Sequence, residues 1–280
     1  MAPLPLHRVI QLPKEKACMA AIVNHVYPSE CFWRKMWAEC DVDREIDLCG
    51  KREIAGHLLS VFATLSNPLI VEAGCGVGAW VLYLGRQGFR NIVGIDNYAP
   101  ALKELDARGG RTMEGDVQHL PFADSSVDVC LSFGVVEHFL EGPAGCLREM
   151  ARILVPGGYL FLSVPYLNWT RRLVSHPLRS MYIRLARIQR RFSEYRFGRR
   201  EIVEFCRNSG FEVICRTTDD YFPRNMSLGL YADFPFLRGR RSDELNRLGR
   251  LISRGLRFFS PWLATGGILV IARKPMAERP

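Results

Sequence analysis

The sequence has no apolar run near the roughly 18 residues that a membrane-spanning helix requires, so hydropathy indicates no span. Residues 1–13 lack a compact apolar stretch ahead of a small-residue cleavage site, and no secretory signal is expected there. No C-x-x-C pair occurs among the nine cysteines; Cys18, Cys31, Cys40 and Cys49 are widely spaced, and Cys130, Cys206 and Cys215 lie in apolar segments. A cysteine in such a segment behaves as a small hydrophobe. Free thiols in a reducing cytosol are therefore expected, with neither a disulfide framework nor a metal site. The chain also lacks internal repeats and low-complexity segments.

Charge is equally uneven. The formal net charge is +9, yet residues 171–200 alone hold ten arginines and a single acid, Glu194. The other residues carry 28 groups of each sign and balance. A neutral body with one basic segment argues against general nucleic-acid affinity, which spreads positive charge over a surface.

What is present is a regular beat of short strands and helices. Residues 69–71, 91–95, 111–114, 127–133 and 159–164 read as strands, with helices predicted at 79–87, 100–108 and 143–154. A helix at 201–207, a strand at 211–216 and a closing strand at 268–272 follow. This alternation implies a parallel sheet with right-handed crossovers. The expected organisation is a helical N-terminal extension (1–67), a core (68–165), a basic helical insert (166–200), a second part of the core (201–274) with a helical insert at 218–265, and a tail (275–280).

The turn after the first strand is Glu72-Ala73-Gly74-Cys75-Gly76-Val77-Gly78. Glycines here allow a sharp turn and a close ligand approach at a helix N-terminus. Gly74, Gly76 and Ala79 also satisfy the dinucleotide fingerprint, so the glycines do not decide between cofactors. The acids discriminate better. Glu72 suits a cationic amino group and would repel a pyrophosphate. Asp96, ending the second strand, can accept from both ribose hydroxyls, as in NAD enzymes. Asp116, after the third strand, can accept from an adenine amino group with Val117 against the ring.

Glu72 through Gly78, Gly94-Ile95-Asp96, Gly115-Asp116-Val117 with Leu120-Pro121-Phe122, Val136-Glu137-His138, and 147–158 from Leu147-Arg148-Glu149 to Pro156-Gly157-Gly158 together resemble class I S-adenosylmethionine-dependent methyltransferases. They are most similar to the group acting on quinones, lipids, sugars and natural products. The resemblance covers about 68–165 strongly and 200–274 more loosely. It implies an α/β, doubly wound, seven-stranded, mostly parallel sheet whose last strand, 268–272, runs antiparallel beside 211–216, with helical lid inserts. It also implies S-adenosyl-L-methionine as cofactor and S-adenosyl-L-homocysteine as product. The expected cofactor contacts are Glu72, Gly74, Cys75, Gly76, Gly78, Asp96, Asn97, Asp116, Val117 and Gly134, with no metal ligand.

The segment Ser132-Phe133-Gly134-Val135 lacks the [Asn/Asp]-Pro-Pro-[Tyr/Phe] tetrad of many methyltransferases acting on nucleobase or glutamine nitrogens. Oxygen or carbon acceptors in a small-molecule, lipid-linked or glycan substrate are expected instead. His138 is the candidate catalytic residue, as a base for a hydroxyl acceptor or as a residue that only orders the loop. A nicotinamide-dependent oxidoreductase and a non-catalytic cofactor-binding partner protein are the alternatives.

Two basic amphipathic helices are predicted. One is capped at Ser175 with Leu178, Met181, Leu185, Ile188 and Phe192 on one face; the other is capped at Ser242 with Leu245, Leu248, Ile252 and Leu256. Their apolar stripes would pack on the domain, or their arginines would bind an anionic substrate, or the 171–200 segment would meet an anionic membrane from a cytoplasmic location. Contact with RNA is the least expected use. Phe32, Trp33, Trp37, Tyr166, Trp169, Tyr221 and Phe222 would cap the strand ends.

Overall fold

The computed structural model describes residues 21–24, 35–185, 187, 192–220, 234–240 and 245–276. Phe32, Trp33, Ile188, Tyr221, Phe222 and Ser242 lie outside them. After a short strand β1 (Ala21–Asn24) come helices α1 (Val42–Cys49) and α2 (Glu53–Phe62), then β2 (Ile70–Ala73), α3 (Ala79–Arg86), β3 (Ile92–Asp96), α4 (Ala99–Ala107) and β4 (Thr112–Glu114). The chain continues through β5 (Val127–Phe133), α5 (Ala144–Ile153), β6 (Leu154–Pro165), α6 (His176–Leu185), β7 (Phe192–Arg196), α7 (Arg199–Asn208) and β8 (Glu212–Asp219). Helices α8 (Arg247–Phe259) and α9 (Pro261–Ala264) lead into β9 (Gly267–Arg273).

Seven strands form one sheet in the order β4-β3-β2-β5-β6-β9-β8. The first five are parallel; β9 is antiparallel to both β6 and β8. This is the doubly wound, mostly parallel sheet expected, with its closing strand beside the predicted partner.

Side chains alternate across the sheet with the two-residue period of a strand. Val71, Val93, Ile95, Cys130, Leu160, Leu162 and Val270 face one layer of helices, α5 and α7. Ile70, Ile92, Val129, Leu131, Phe161, Leu269 and Ile271 face the other, where α3 and α4 are joined by Ile54, Leu58 and Phe62 of α2. Helix α2 is thus a layer of the core. Its Phe62 meets Phe161 of β6 edge-on, ring centroids 6.1 Å apart.

Two local expectations are corrected. Phe192 does not continue a helical stripe; it begins β7, which pairs antiparallel with β1, Ala21 opposite Arg196. The partner strand lies far away in sequence, so local periodicity could not reveal it. Nor does Ser175 cap a helix. Helical backbone runs from residue 169 through a wide turn, Arg171–Ser175, straight into α6. The second basic helix begins at Arg247, where Asn246 is the cap and accepts from the Gly249 amide at 2.8 Å.

Candidate active site

In open α/β sheets ligands gather at the carboxyl ends of the strands, where neighbouring connections diverge. Here the order places β2 between β3 and β5, whose connections run to opposite layers. The glycine turn leaves β2 at that point. Gly74, Gly76 and Gly78 have φ of +82°, +53° and +70°, the left-handed region that glycine tolerates. A Cβ on Gly74 would lie 2.4 Å from Val135, and one on Gly78 2.4 Å from Leu105.

The amides of this turn are largely committed. Gly74 and Cys75 both donate to the Ile95 carbonyl, at 2.8 and 2.9 Å. Gly76 donates to Asp96 Oδ2 at 2.8 Å, and Tyr98 to Asp96 Oδ1 at 2.9 Å. Asp96 therefore straps the turn to the end of β3, and each of its oxygens retains acceptor capacity toward a ribose. A phosphate cradle needs free amides pointing outward. Three of those in the turn are already donated inward.

Glu72, the penultimate residue of β2, is almost entirely buried, and its Oε2 has no hydrogen-bond partner among the described residues. Burial pushes its carboxyl up from 4.5 to about 8, with the Val81 amide and Arg52 acting in the opposite sense. An ammonium group would satisfy that oxygen and restore the anion. The glycine cradle and this unsatisfied carboxyl fit S-adenosylmethionine, for which Glu72 would take the amino group, Asp96 the ribose and Asp116 the adenine.

A pH dependence follows. Between about pH 4.5 and 8 the folded chain keeps the Glu72 proton that the unfolded chain has lost, so this group's stabilisation declines as pH rises through that window. Thermal melts from pH 5 to 9 should show Glu72→Gln gaining on the parent as pH rises. Parallel melting curves would rule the account out.

The remaining predicted contacts differ in character. Asp116 is exposed, and its Oδ1 accepts from the Gln118 amide at 2.8 Å, which forms a tight turn around the carboxylate. Val117 is buried in the core beneath it. Asn97 is exposed, and Gly134, with φ of +74°, donates to the Ser163 carbonyl. The buried Cys75 thiol packs where a Gly94 Cβ would meet it at 2.7 Å, and burial raises its pKa. Cys75 can reach a ligand only through its backbone.

His138 sits half-buried on a single 3-10 turn, Val136–His138, directly after β5. Its neighbours Val136 and Glu137 are both buried, and Glu137 Oε2 lacks a hydrogen-bond partner among the described residues. Burial, reinforced by Glu194, pushes the Glu137 carboxyl well above the usual range. Glu194 is the lone acid of the arginine segment; on β7 it is buried against Arg196, 3.3 Å away, and Arg196 is 2.9 Å from His176 Nε2. A single acid among ten arginines was the available signal.

Three further residues escaped the sequence. Arg52, at the start of α2, pairs with Asp219 at the end of β8 across 2.7 Å, both buried. Ser163 of β6 donates to the same carboxylate, and the guanidinium lies over the rings of Trp80 and Phe133, 5.4 and 5.9 Å from their centroids. Trp37, expected to cap the strand ends, covers the glycine turn: a Cβ on Gly76 would come within 2.4 Å of its indole.

The sheet order defines a doubly wound, Rossmann-like α/β fold with an antiparallel closing strand. Residues 71–162 match the family model described as a methyltransferase domain, and S-adenosyl-L-methionine is the cofactor this domain implies. Among curated relatives, the probable tRNA methyltransferase 9B of Bos taurus is 38% identical over 100 residues, 35% of this chain and 21% of its own length. The malonyl-[acyl-carrier protein] O-methyltransferase of Pectobacterium atrosepticum is 35% identical over 113 residues, 39% of this chain and 44% of its own. The chain thus spans less than half the length of either relative. A SAM-dependent methyltransferase from Methanosarcina mazei superposes with a TM-score of 0.55 at 18% identity, covering 78% of this chain and 97% of that one.

Proposed function

We propose that the chain is an S-adenosylmethionine-dependent methyltransferase acting on an oxygen or carbon of a small-molecule, lipid-linked, glycan or natural-product acceptor. The observation that carries the reading is the order of acids along the sheet edge, Glu72, Asp96 and Asp116, around a turn whose amides are donated inward. A dinucleotide pyrophosphate would meet the Glu72 carboxyl where it needs free donors, so a nicotinamide enzyme is disfavoured.

The bound cofactor supplies an electrophilic methyl group on a sulfonium. The chain's own part is to hold donor and acceptor in line, which accounts for much of the rate gain in such a transfer. His138 would take the acceptor's hydroxyl proton, and the buried Glu137 and Glu194 would keep that side of the turn fixed. The acyl-carrier relative acts on oxygen by its name, in keeping with an oxygen acceptor. The tRNA relative supports the rival acceptor class. A cytoplasmic setting accompanies this reading; among the described residues no helix is long and apolar enough to cross a membrane, and seven cysteines carry free thiols.

Calorimetric titration decides the cofactor. S-adenosylhomocysteine should bind and NAD(P) should not; the reverse pattern would overturn the proposal. Asp96→Ala should weaken S-adenosylhomocysteine by about 1–3 kcal/mol, through lost ribose bonds and a loosened turn. Methyl-labelled cofactor offered with lipid extract and with tRNA then separates the acceptor classes.

A further inference from the structure

Of the three uses open to the two stripes, packing on the domain is not what most of their described residues show. Along 169–185 the side chains of Trp169, Leu173, Leu178, Met181, Tyr182 and Leu185 are all exposed, Leu185 by 75%. On α8, Leu251 is 68%, Phe258 86% and Phe259 79% exposed, while the only buried position of that helix is Gly249. Helical geometry puts Leu248, Leu251, Ile252, Phe258 and Phe259 on one face and Arg247, Arg250, Arg254 and Arg257 along its border. Neither helical segment contains an acid.

The roots of both segments are bonded into the fold at one edge of the sheet. Arg171, buried, donates to the carbonyls of Tyr166 and Gly266 at 2.7 and 2.9 Å and so ties 169–185 to the junction of β6 and β9. Arg257 pairs with Asp220, just past β8, and Trp262 of α9 stacks edge-on against Tyr166 with centroids 5.4 Å apart. The carboxyl ends of β6 and β8 and the amino end of β9 lie on the same side as the carboxyl ends of β2, β3 and β5. The roots of both segments therefore stand at the edge that carries the glycine turn and His138.

We propose that these two faces dock the protein on an anionic lipid bilayer, with the candidate active site turned toward the membrane. Apolar side chains bordered by arginine, without acids, match the interfacial zone of such a bilayer: aromatic and aliphatic groups enter the acyl boundary while guanidinium groups meet phosphates. An RNA surface would use the arginines and could stack bases on Phe258 and Phe259, but it would leave the aliphatic Leu178, Leu185, Leu248 and Leu251 in water. The purpose of the docking, access to a lipid-borne acceptor, rests on the methyl-transfer reading; the docking itself does not.

The test is co-sedimentation of the full chain with vesicles of phosphatidylcholine, with and without phosphatidylglycerol. Binding is expected on the anionic vesicles at low salt, weaker at high salt and weaker on phosphatidylcholine alone. Phe258→Glu combined with Phe259→Glu should weaken vesicle binding by about tenfold or more. Both side chains are exposed, so circular dichroism and S-adenosylhomocysteine affinity should match the parent. No binding at low salt, binding unchanged in the variant, or a solution dimer that the variant dissolves would each overturn the docking. Vesicle binding by a chain that fails to bind S-adenosylhomocysteine would uphold the docking and refute the methyltransferase reading.

Discussion

Arg52→Leu is expected to destabilise the fold by about 3–5 kcal/mol, because it strands the buried Asp219 carboxylate without its cation. Asp219 would keep Ser163 as a donor, but a single hydroxyl does not compensate a desolvated charge. The guanidinium also contributes through its position over Trp80 and Phe133, where desolvation strengthens a cation–π contact. Urea denaturation of the single variants and of Arg52→Leu/Asp219→Leu resolves the pair. The double variant should recover most of the loss, since two apolar groups carry no unpaired charge. A single-variant cost below about 1 kcal/mol would show that the ion pair does not hold α2 to the sheet.

Gly78→Ala is the second large effect. The φ of +70° costs an alanine about 1–2 kcal/mol, and the new methyl would sit 2.4 Å from the fully buried Leu105. Overpacking of that kind adds about 1–3 kcal/mol, for a total of about 2–5 kcal/mol. Gly85, near the end of the same helix, is the matched control. A Cβ there meets nothing within 4 Å, so Gly85→Ala should stabilise by about 0.5–1 kcal/mol. Equal effects at the two positions would show that the turn can relax around a side chain, and the cradle argument would fail with it.

The core was legible because it is periodic and local. Each of the seven strands of the main sheet overlaps its predicted span, and Gly88 ends its helix through its own backbone; the largest departure is β6, which begins at Leu154, so that Gly157 lies inside the strand and not between helix and strand. The positions of Glu72 before the glycine turn and of Asp96 at the end of β3 were legible because each lies at a strand end that local sequence marks. Glu137, by contrast, was passed over for His138. Which member of Val136-Glu137-His138 turns inward depends on a single 3-10 turn and on β7 packed against it.

The basic insert shows the same limit from another side. Ten arginines looked like one surface feature, yet Arg171 and Arg196 are buried and structural. Their partners, the Gly266 carbonyl and Glu194, come from the β6–β9 junction and from a strand paired with β1. Exposure of the α6 and α8 stripes was likewise invisible in a helical wheel, which shows that a face is apolar but not whether anything covers it.

By itself, then, the sequence determined the alternation of strands and helices, the glycine turn with its flanking acids, and the uneven placement of charge. These follow from backbone sterics, side-chain period and local composition, all readable over a few residues. Tertiary structure alone decided that Arg52 reaches Asp219, that Trp37 covers Gly76, that Glu137 and Glu194 are buried, and that two arginine-bordered faces remain open. Those outcomes depend on contacts between residues far apart in the chain, where burial sets the cost of a charge and geometry sets whether a partner is within reach.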